Sequence, residues 1–259
     1  MCDQPKYGLK YNAPAVASSP LCVGYNPRFP GHLFPMNILA IDTSTDFCSA
    51  ALWRDGQVVE RAAPAGQSHS TLLMSMVDAV LAESGLALTA VDGVAFGEGP
   101  GSFTGLRIAC AVAQGLAFSS DLPVAGVGTL HAMASACAAP LVVCCLDARM
   151  QEVYHAAYRL DEQGLWREVS APRVCAPFEI PVVDGNGWTG CGSGFAVYGE
   201  VLRERMGSSL CAVRQDIFPH ARDIAALAAP VFAAGRGLPA EQAAPIYIRD
   251  KVALKTAER

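Results

Sequence analysis

The sequence predicts an α/β protein of two related units with a cleft between them, and three observations support this. Strand-like runs alternate with helical-period runs from Met36 onward. A strand that ends in an aspartate and leads into a hairpin occurs twice, as Ile38-Leu39-Ala40-Ile41-Asp42 and as Leu141 to Leu146 ending in Asp147. The 259-residue chain is 52% hydrophobic and only 17% charged, against about 25% charged in ordinary soluble domains, which calls for much buried surface.

The first 35 residues stand apart. Six of the 17 prolines fall there (Pro5, Pro14, Pro20, Pro27, Pro30, Pro35) with no period of 2 or 3.6, so residues 1–35 read as an irregular Pro-rich tail. Met36 is the expected functional start, and the tail is either dispensable or a partner-binding arm. The first unit is expected over 36–139 and the second over 140–259, with a C-terminal helix that packs back on the first.

Within the first unit, strands at 47–53 and 57–63 meet at Asp55-Gly56, whose two residues favour the positive φ of a tight hairpin. Ser68 or Ser70 is the expected cap of a helix on which Leu72, Leu73, Met76, Val77, Val80 and Leu81 recur at helical spacing before Gly85 stops it. A buried strand at 91–97, an Ala-rich helix at 104–118, a short strand at 122–125 and a short helix at 129–137 follow. The second unit repeats the opening, with a hairpin turn at Asp161-Glu162-Gln163-Gly164, then a helix at 195–206, a strand at 210–214 and an Ala-rich helix at 219–234.

Composition excludes several function classes. No charge occurs between Asp121 and Asp147, but Pro123, Gly126, Gly128, His131 and Pro140 interrupt the stretch, so strand, helix and strand in succession fit better than a membrane span. Residues 1–10 carry Asp3, Lys6 and Lys10 with no apolar run behind them, unlike a signal peptide. Ten cysteines scattered without a CxxC pair read as reduced thiols of a cytoplasmic protein. A net charge of −5 gives no general basic field for nucleic acid, so any RNA contact is local or made through a partner.

Two segments have the composition of a phosphate site. Asp42-Thr43-Ser44-Thr45 sets a carboxylate and three hydroxyls at a turn, chemistry suited to phosphate and hydrated Mg²⁺ or, equally, to satisfying the turn's own backbone. Gly97-Glu98-Gly99-Pro100-Gly101-Ser102-Phe103-Thr104-Gly105-Leu106-Arg107 lies between a strand and a helix. Its glycines either aim N–H groups at an anion or allow close packing, with Ser102 or Thr104 capping the helix. The block matches neither a Walker A loop nor GxGxxG. Asp147 ends the second unit's first strand, with Arg149 placed to pair with it or with a phosphate. The glycines at 185–187 and 190–194 read as loops, the remnant of a nucleotide-facing segment. The five histidines (His32, His69, His131, His155, His220) form no HxxxH or HExxH, so a metal centre is not expected, and His69 reads as a capping or packing residue. Gly-x-Ser-x-Gly does not occur.

Met36 to Thr45, Gln67-Ser68-His69-Ser70, the block from Gly97 to Arg107, Asp147-Ala148-Arg149-Met150-Gln151-Glu152-Val153-Tyr154 and the closing Ile246-Tyr247-Ile248-Arg249 together resemble the bacterial TsaB (YeaZ) family of tRNA threonylcarbamoyladenosine biosynthesis proteins. The resemblance runs from Met36 to about Lys255. It implies an actin/Hsp70/sugar-kinase-like (RNase H-like) fold of two units with mixed sheets flanked by helices, and kinship to the M22 glycoproteases. It further implies a non-catalytic subunit that works with the paralogue TsaD and the ATPase TsaE. The complex transfers threonylcarbamoyl to N6 of adenosine 37 in tRNAs reading ANN codons, with ATP and Mg²⁺ used by the complex and tRNA met through it. Asp42, Thr43, Ser44, Gly99, Gly101, Ser102, Thr104, Gly105 and Asp147 would then be a degenerate phosphate cradle. The first two helices, through Leu73, Met74, Val77, Arg107 and Ile108, would bind TsaD or, in its absence, a second copy. The alternatives are a small ATP-dependent phosphotransferase using Asp42, Thr43, Gly99, Gly101 and Asp147, and, third, a peptidase.

Overall fold

A computed structural model describes residues 36–66 and 68–249. The tail, Gln67 and residues 250–259 lie outside the described residues. The first sheet contains β1 (Asn37–Asp42), β2 (Phe47–Arg54), β3 (Gln57–Pro64), β4 (Gly93–Gly99) and β5 (Val124–Gly128), in the order β3-β2-β1-β4-β5. β1 runs antiparallel to β2 and parallel to β4, so the sheet is mixed. Asp55 (φ 47°) and Gly56 (φ 90°) make the expected tight turn between β2 and β3.

Alternation along the central strands sends Leu39, Ile41, Cys48, Ala50 and Leu52 to one face. There they meet α1 (His69–Ser84) and α2 (Phe103–Ser119). The opposite face is covered by α5 (Ala221–Ala233), whose Ala221, Ala225, Ala228 and Ala229 are buried and let the helix lie close to β1, β2 and β4. Gly93 gives room to the Phe232 ring, which would overlap any Cβ there.

The second sheet contains β6 (Leu141–Asp147), β7 (Val153–Leu160), β8 (Trp166–Cys175), β9 (Trp188–Cys191) and β10 (Leu210–Arg214), in the order β10-β9-β6-β7-β8. It is also mixed, with β6 parallel to β9 and antiparallel to β7. One face packs Leu130 and Met133 of α3 (Thr129–Ala136) against Val142 and Cys144. The other packs Phe195 and Leu202 of α4 (Ser193–Met206) against Val143 and Cys145.

The uncharged stretch 122–146 is β5, α3 and most of β6, and among the described residues no helix is long and apolar enough to cross a membrane. Several readings need correction, among them the strand expected at 91–97, which is β4 at Gly93–Gly99. The strand expected at 122–125 lies two residues later, because its register is set by pairing with β4, from Val94↔Val124 to Gly99↔Gly128. The glycines at 190–194 are not a loop. Gly190 lies inside β9, where its missing Cβ admits the Phe195 ring, and Ser193 and Gly194 open α4 against Cys145. Ser68 occupies the N-cap position of α1 without a side-chain capping bond, whereas Ser102 does cap α2. All eight cysteines among the described residues are free thiols.

Candidate functional site

The turn after β1 and the start of α2 are built against each other. Thr43 is buried and its Oγ1 donates to the Gly105 carbonyl at 2.6 Å. The Ser102 N–H donates to the Ser44 carbonyl at 2.7 Å, and the Gly105 N–H donates to Ser102 Oγ at 3.3 Å. A Cβ on Gly101 would overlap the Ser44 carbonyl, and one on Gly105 the Thr43 carbonyl. Gly99, at φ 120°, would bring a Cβ within 2.6 Å of the Ile246 carbonyl. The sides of these glycines that a Cβ would occupy are therefore faced by the chain's own carbonyls. Thr104 is exposed.

Asp42 lies at the centre of this arrangement and is fully buried. Its Oδ2 accepts from the Ser44 N–H at 3.2 Å and from Ser44 Oγ at 3.0 Å, while Oδ1 lies over Gly97 with no hydrogen-bond partner. Burial pushes the carboxyl up to about 7, against the opposing pull of the Ser44 hydrogen bonds and of His220. The Thr43 hydroxyl proton is already committed to the Gly105 carbonyl and is not free for a phosphate.

Asp147 takes its partners from the second unit. Its carboxylate accepts from the Arg149 N–H at 3.0 Å, pairs with the Arg149 guanidinium at 3.1 Å and accepts from Tyr198 Oη at 3.5 Å; its own N–H donates to Ser193 Oγ at 3.1 Å. Arg149, Met150 and Gln151 all have positive φ (60°, 55° and 59°), an unusual run for non-glycine residues.

The five residues assigned to a partner surface separate into two groups. Leu73 and Val77 are buried under α1 against the first sheet and present nothing outward, which corrects that assignment: helical period alone does not say which part of a broad apolar stripe the sheet takes. Met74 is 42% exposed, Ile108 is half-buried at the rim of the core, and Arg107 is exposed. The Arg107 guanidinium lies 3.7 Å over the Phe103 ring, and its Nε donates to Tyr247 Oη at 3.0 Å. His69 is the first residue of α1 and buried, with Nδ1 unpartnered and its pKa lowered by burial.

Two sets of contacts join residues far apart in the sequence. Glu60 of β3 accepts from the Arg222 N–H at 3.2 Å and pairs with the Arg222 and His220 side chains at 3.1 and 3.4 Å, so a strand carboxylate caps α5 from 162 residues away. Burial raises the Glu60 pKa, but His220 and Arg222 outweigh it and hold the carboxyl below its usual range. The segment 243–249 joins the glycine block through Ile246, whose N–H donates to the Glu98 carbonyl at 2.7 Å. The Glu98 side chain lies across Gly126, and burial raises its pKa.

Comparison with known proteins places the chain. A family model described as "TsaD: tRNA N6-adenosine threonylcarbamoyltransferase" matches residues 62–255. The tRNA threonylcarbamoyladenosine biosynthesis protein TsaB of Escherichia coli is 37% identical over 228 residues, covering 85% of this chain and 97% of that protein. The chain belongs to the TsaB family. Haemophilus influenzae TsaB is likewise 37% identical over 232 residues, covering 96% of its length. The solved structure of YeaZ from Pseudomonas aeruginosa, 38% identical, superposes with a TM-score of 0.74 over 82% of this chain and 99% of its own. The TsaB-family fold thus has the two mixed sheets flanked by helices that the resemblance implied.

Proposed function

We propose that this chain is a non-catalytic subunit for the formation of threonylcarbamoyladenosine in tRNA. It works beside the paralogue TsaD, which carries out the transfer to adenosine 37, and the ATPase TsaE. ATP and Mg²⁺ are consumed by the complex, and tRNA is met through the complex. Membership of the TsaB family supports the process, since E. coli TsaB bears that biosynthetic name.

The observation that carries the non-catalytic reading is the close packing at the glycine block. Gly101 and Gly105 are faced by the Ser44 and Thr43 carbonyls, and the Thr43 hydroxyl bonds to Gly105. A working phosphotransferase would need those groups turned toward a nucleotide. The exposed Met74 and Arg107 on α1 and α2 support a docking surface there for the paralogue, or for a second copy when the paralogue is absent.

Reconstitution tests the proposal: TsaD, TsaE, tRNA, threonylcarbamoyl adenylate as the donor, ATP and Mg²⁺ are combined with and without this chain. Modification that depends on the chain is expected, and full modification without it overturns the reading. Calorimetric titration of the isolated chain with ATP and Mg²⁺ separates the phosphotransferase alternative, for which tight binding would be required.

A further inference from the structure

Residues 243–249 carry no regular secondary structure, yet they are tied down along their length. Gln114 Nε2 of α2 donates to the Ala243 carbonyl at 2.9 Å, and the Ile246 N–H donates to the Glu98 carbonyl. Tyr247 receives the Arg107 hydrogen bond and lies 5.4 Å, centroid to centroid, from the Phe103 ring. At the far end Arg249 leaves the first sheet's neighbourhood. Its guanidinium pairs with Glu152, donates to Met150 Sδ at 3.5 Å and sits 5.8 Å from the Tyr154 ring centroid. Met150 is the middle residue of the left-handed run at 149–151, and Glu152 follows it directly. Left-handed backbone at three successive non-glycine residues is unfavourable by itself; the loop's own bonds, Ala148 N–H to the Glu152 carbonyl at 2.9 Å and Glu152 N–H to the Arg149 carbonyl at 3.0 Å, close it, and the Arg249 contacts add to them from outside.

We propose that residues 243–249 form a coupling strap, which holds the 149–151 loop in its left-handed state and makes that state depend on the α2 N-terminus and the glycine block. The two ends differ in character. Tyr247 and Ile246 are half exposed, so the grip on Arg107 and Phe103 is open to competition from solvent or a docking protein. The Arg249 side chain is only 13% exposed and serves as the anchor. Freeing Tyr247 loosens the strap from α2, and the loss passes through Ile248 to Arg249. The loop at 149–151, which adjoins Asp147, then relaxes toward right-handed backbone. Linkage requires the converse: releasing Arg249 must loosen the contacts of Ile246 and Tyr247. The inference stands on intrachain contacts and does not depend on the proposed role in tRNA modification.

Hydrogen–deuterium exchange on the full chain tests it, with Arg249→Gln at one end, Tyr247→Ala at the other, and a charge-swapped Glu152→Arg/Arg249→Glu pair. Each single variant is expected to speed exchange by about threefold or more in both the 98–107 and 149–154 peptides, while β1 and β2 keep their protection. The charge-swapped pair is expected to recover protection in both peptides relative to Arg249→Glu alone. Acceleration confined to the mutated end overturns the coupling. If Arg249→Gln unfolds the protein globally, Tyr247→Ala decides: faster exchange at 149–154 supports the strap, and unchanged exchange there refutes it.

Discussion

Replacing Asp42 with asparagine should stabilise the protein in a manner that grows with pH. The carboxyl is fully buried, and one oxygen lacks a partner. Burial raises its pKa from 3.8 to about 7. Below pH 4 the group is protonated in both folded and unfolded chains and costs nothing. Between pH 4 and 7 the unfolded chain gives up its proton while the folded chain retains it, so stability falls as pH rises, and the loss levels off above pH 7. A shift of about three units corresponds to about 4 kcal/mol at the plateau. Asparagine keeps the shape and can still accept from Ser44, but its NH₂ takes the place of the unpartnered oxygen. An unsatisfied buried donor costs about 1–3 kcal/mol at every pH. Asp42→Asn should therefore be neutral or slightly destabilising at pH 4.5, where about 1 kcal/mol of the penalty is already present, and gain about 3 kcal/mol relative to that baseline by pH 8. Calorimetric melting across that range reads the difference between variant and parent, in which titrations common to both cancel. His220 and Cys48 are the titratable neighbours and remain in both proteins. A Tm difference that does not change with pH, or one that falls as pH rises, would refute the burial argument.

Four further outcomes follow from the packing. Gly105→Ala, which in an ordinary helix interior adds about 1 kcal/mol, should instead lose about 1–3 kcal/mol in urea titration because the Thr43 carbonyl occupies the Cβ position. Leu73→Ala should cost about 2–5 kcal/mol, whereas Met74→Ala should stay within about 0.5 kcal/mol. If α1 is the docking surface, Met74→Glu weakens co-purification with the TsaD paralogue without lowering Tm. Glu60→Gln should destabilise the protein by about 1–3 kcal/mol at pH 7. Because the folded Glu60 pKa lies below 4.5, this deficit should close only as pH falls beneath that value, which melts at pH 7 and pH 3.5 would show.

Much of the first sheet was legible because its signals are local. Asp55-Gly56 specifies a turn through its own φ preferences, and the near-continuous apolar runs of β1 and β2 report a sheet buried between helices. The cap of α2 could be narrowed to Ser102 or Thr104 from the place of these residues before an Ala-rich helix, and the structure selects Ser102. What sequence could not supply was the identity of distant neighbours. Whether Gly101 and Gly105 face an anion or a carbonyl depends on where the 42–46 turn lands, and whether Leu73 faces a partner or the sheet depends on the roll of α1. Glu60 looks like any exposed strand residue until α5 arrives on top of it. β9 escaped because its four residues, two of them Gly190 and Thr189, carry too little apolar alternation to distinguish a strand from a glycine-rich loop.

The placement of α5 has a consequence for biosynthesis. The strands of the first sheet are complete at Gly128, but the helix that covers their second face ends at Ala233. At elongation rates of about 5–20 residues per second, that face waits roughly 5–20 seconds while the second sheet is made. During this interval Ile38, Ala40, Ala51 and Ala95, all buried in the finished chain, lack the cover of α5. A nascent chain stalled or cleaved before residue 221 would present this apolar surface to chaperones and proteases, so quality control can distinguish a finished chain from an unfinished one at a point where most of its strands already exist.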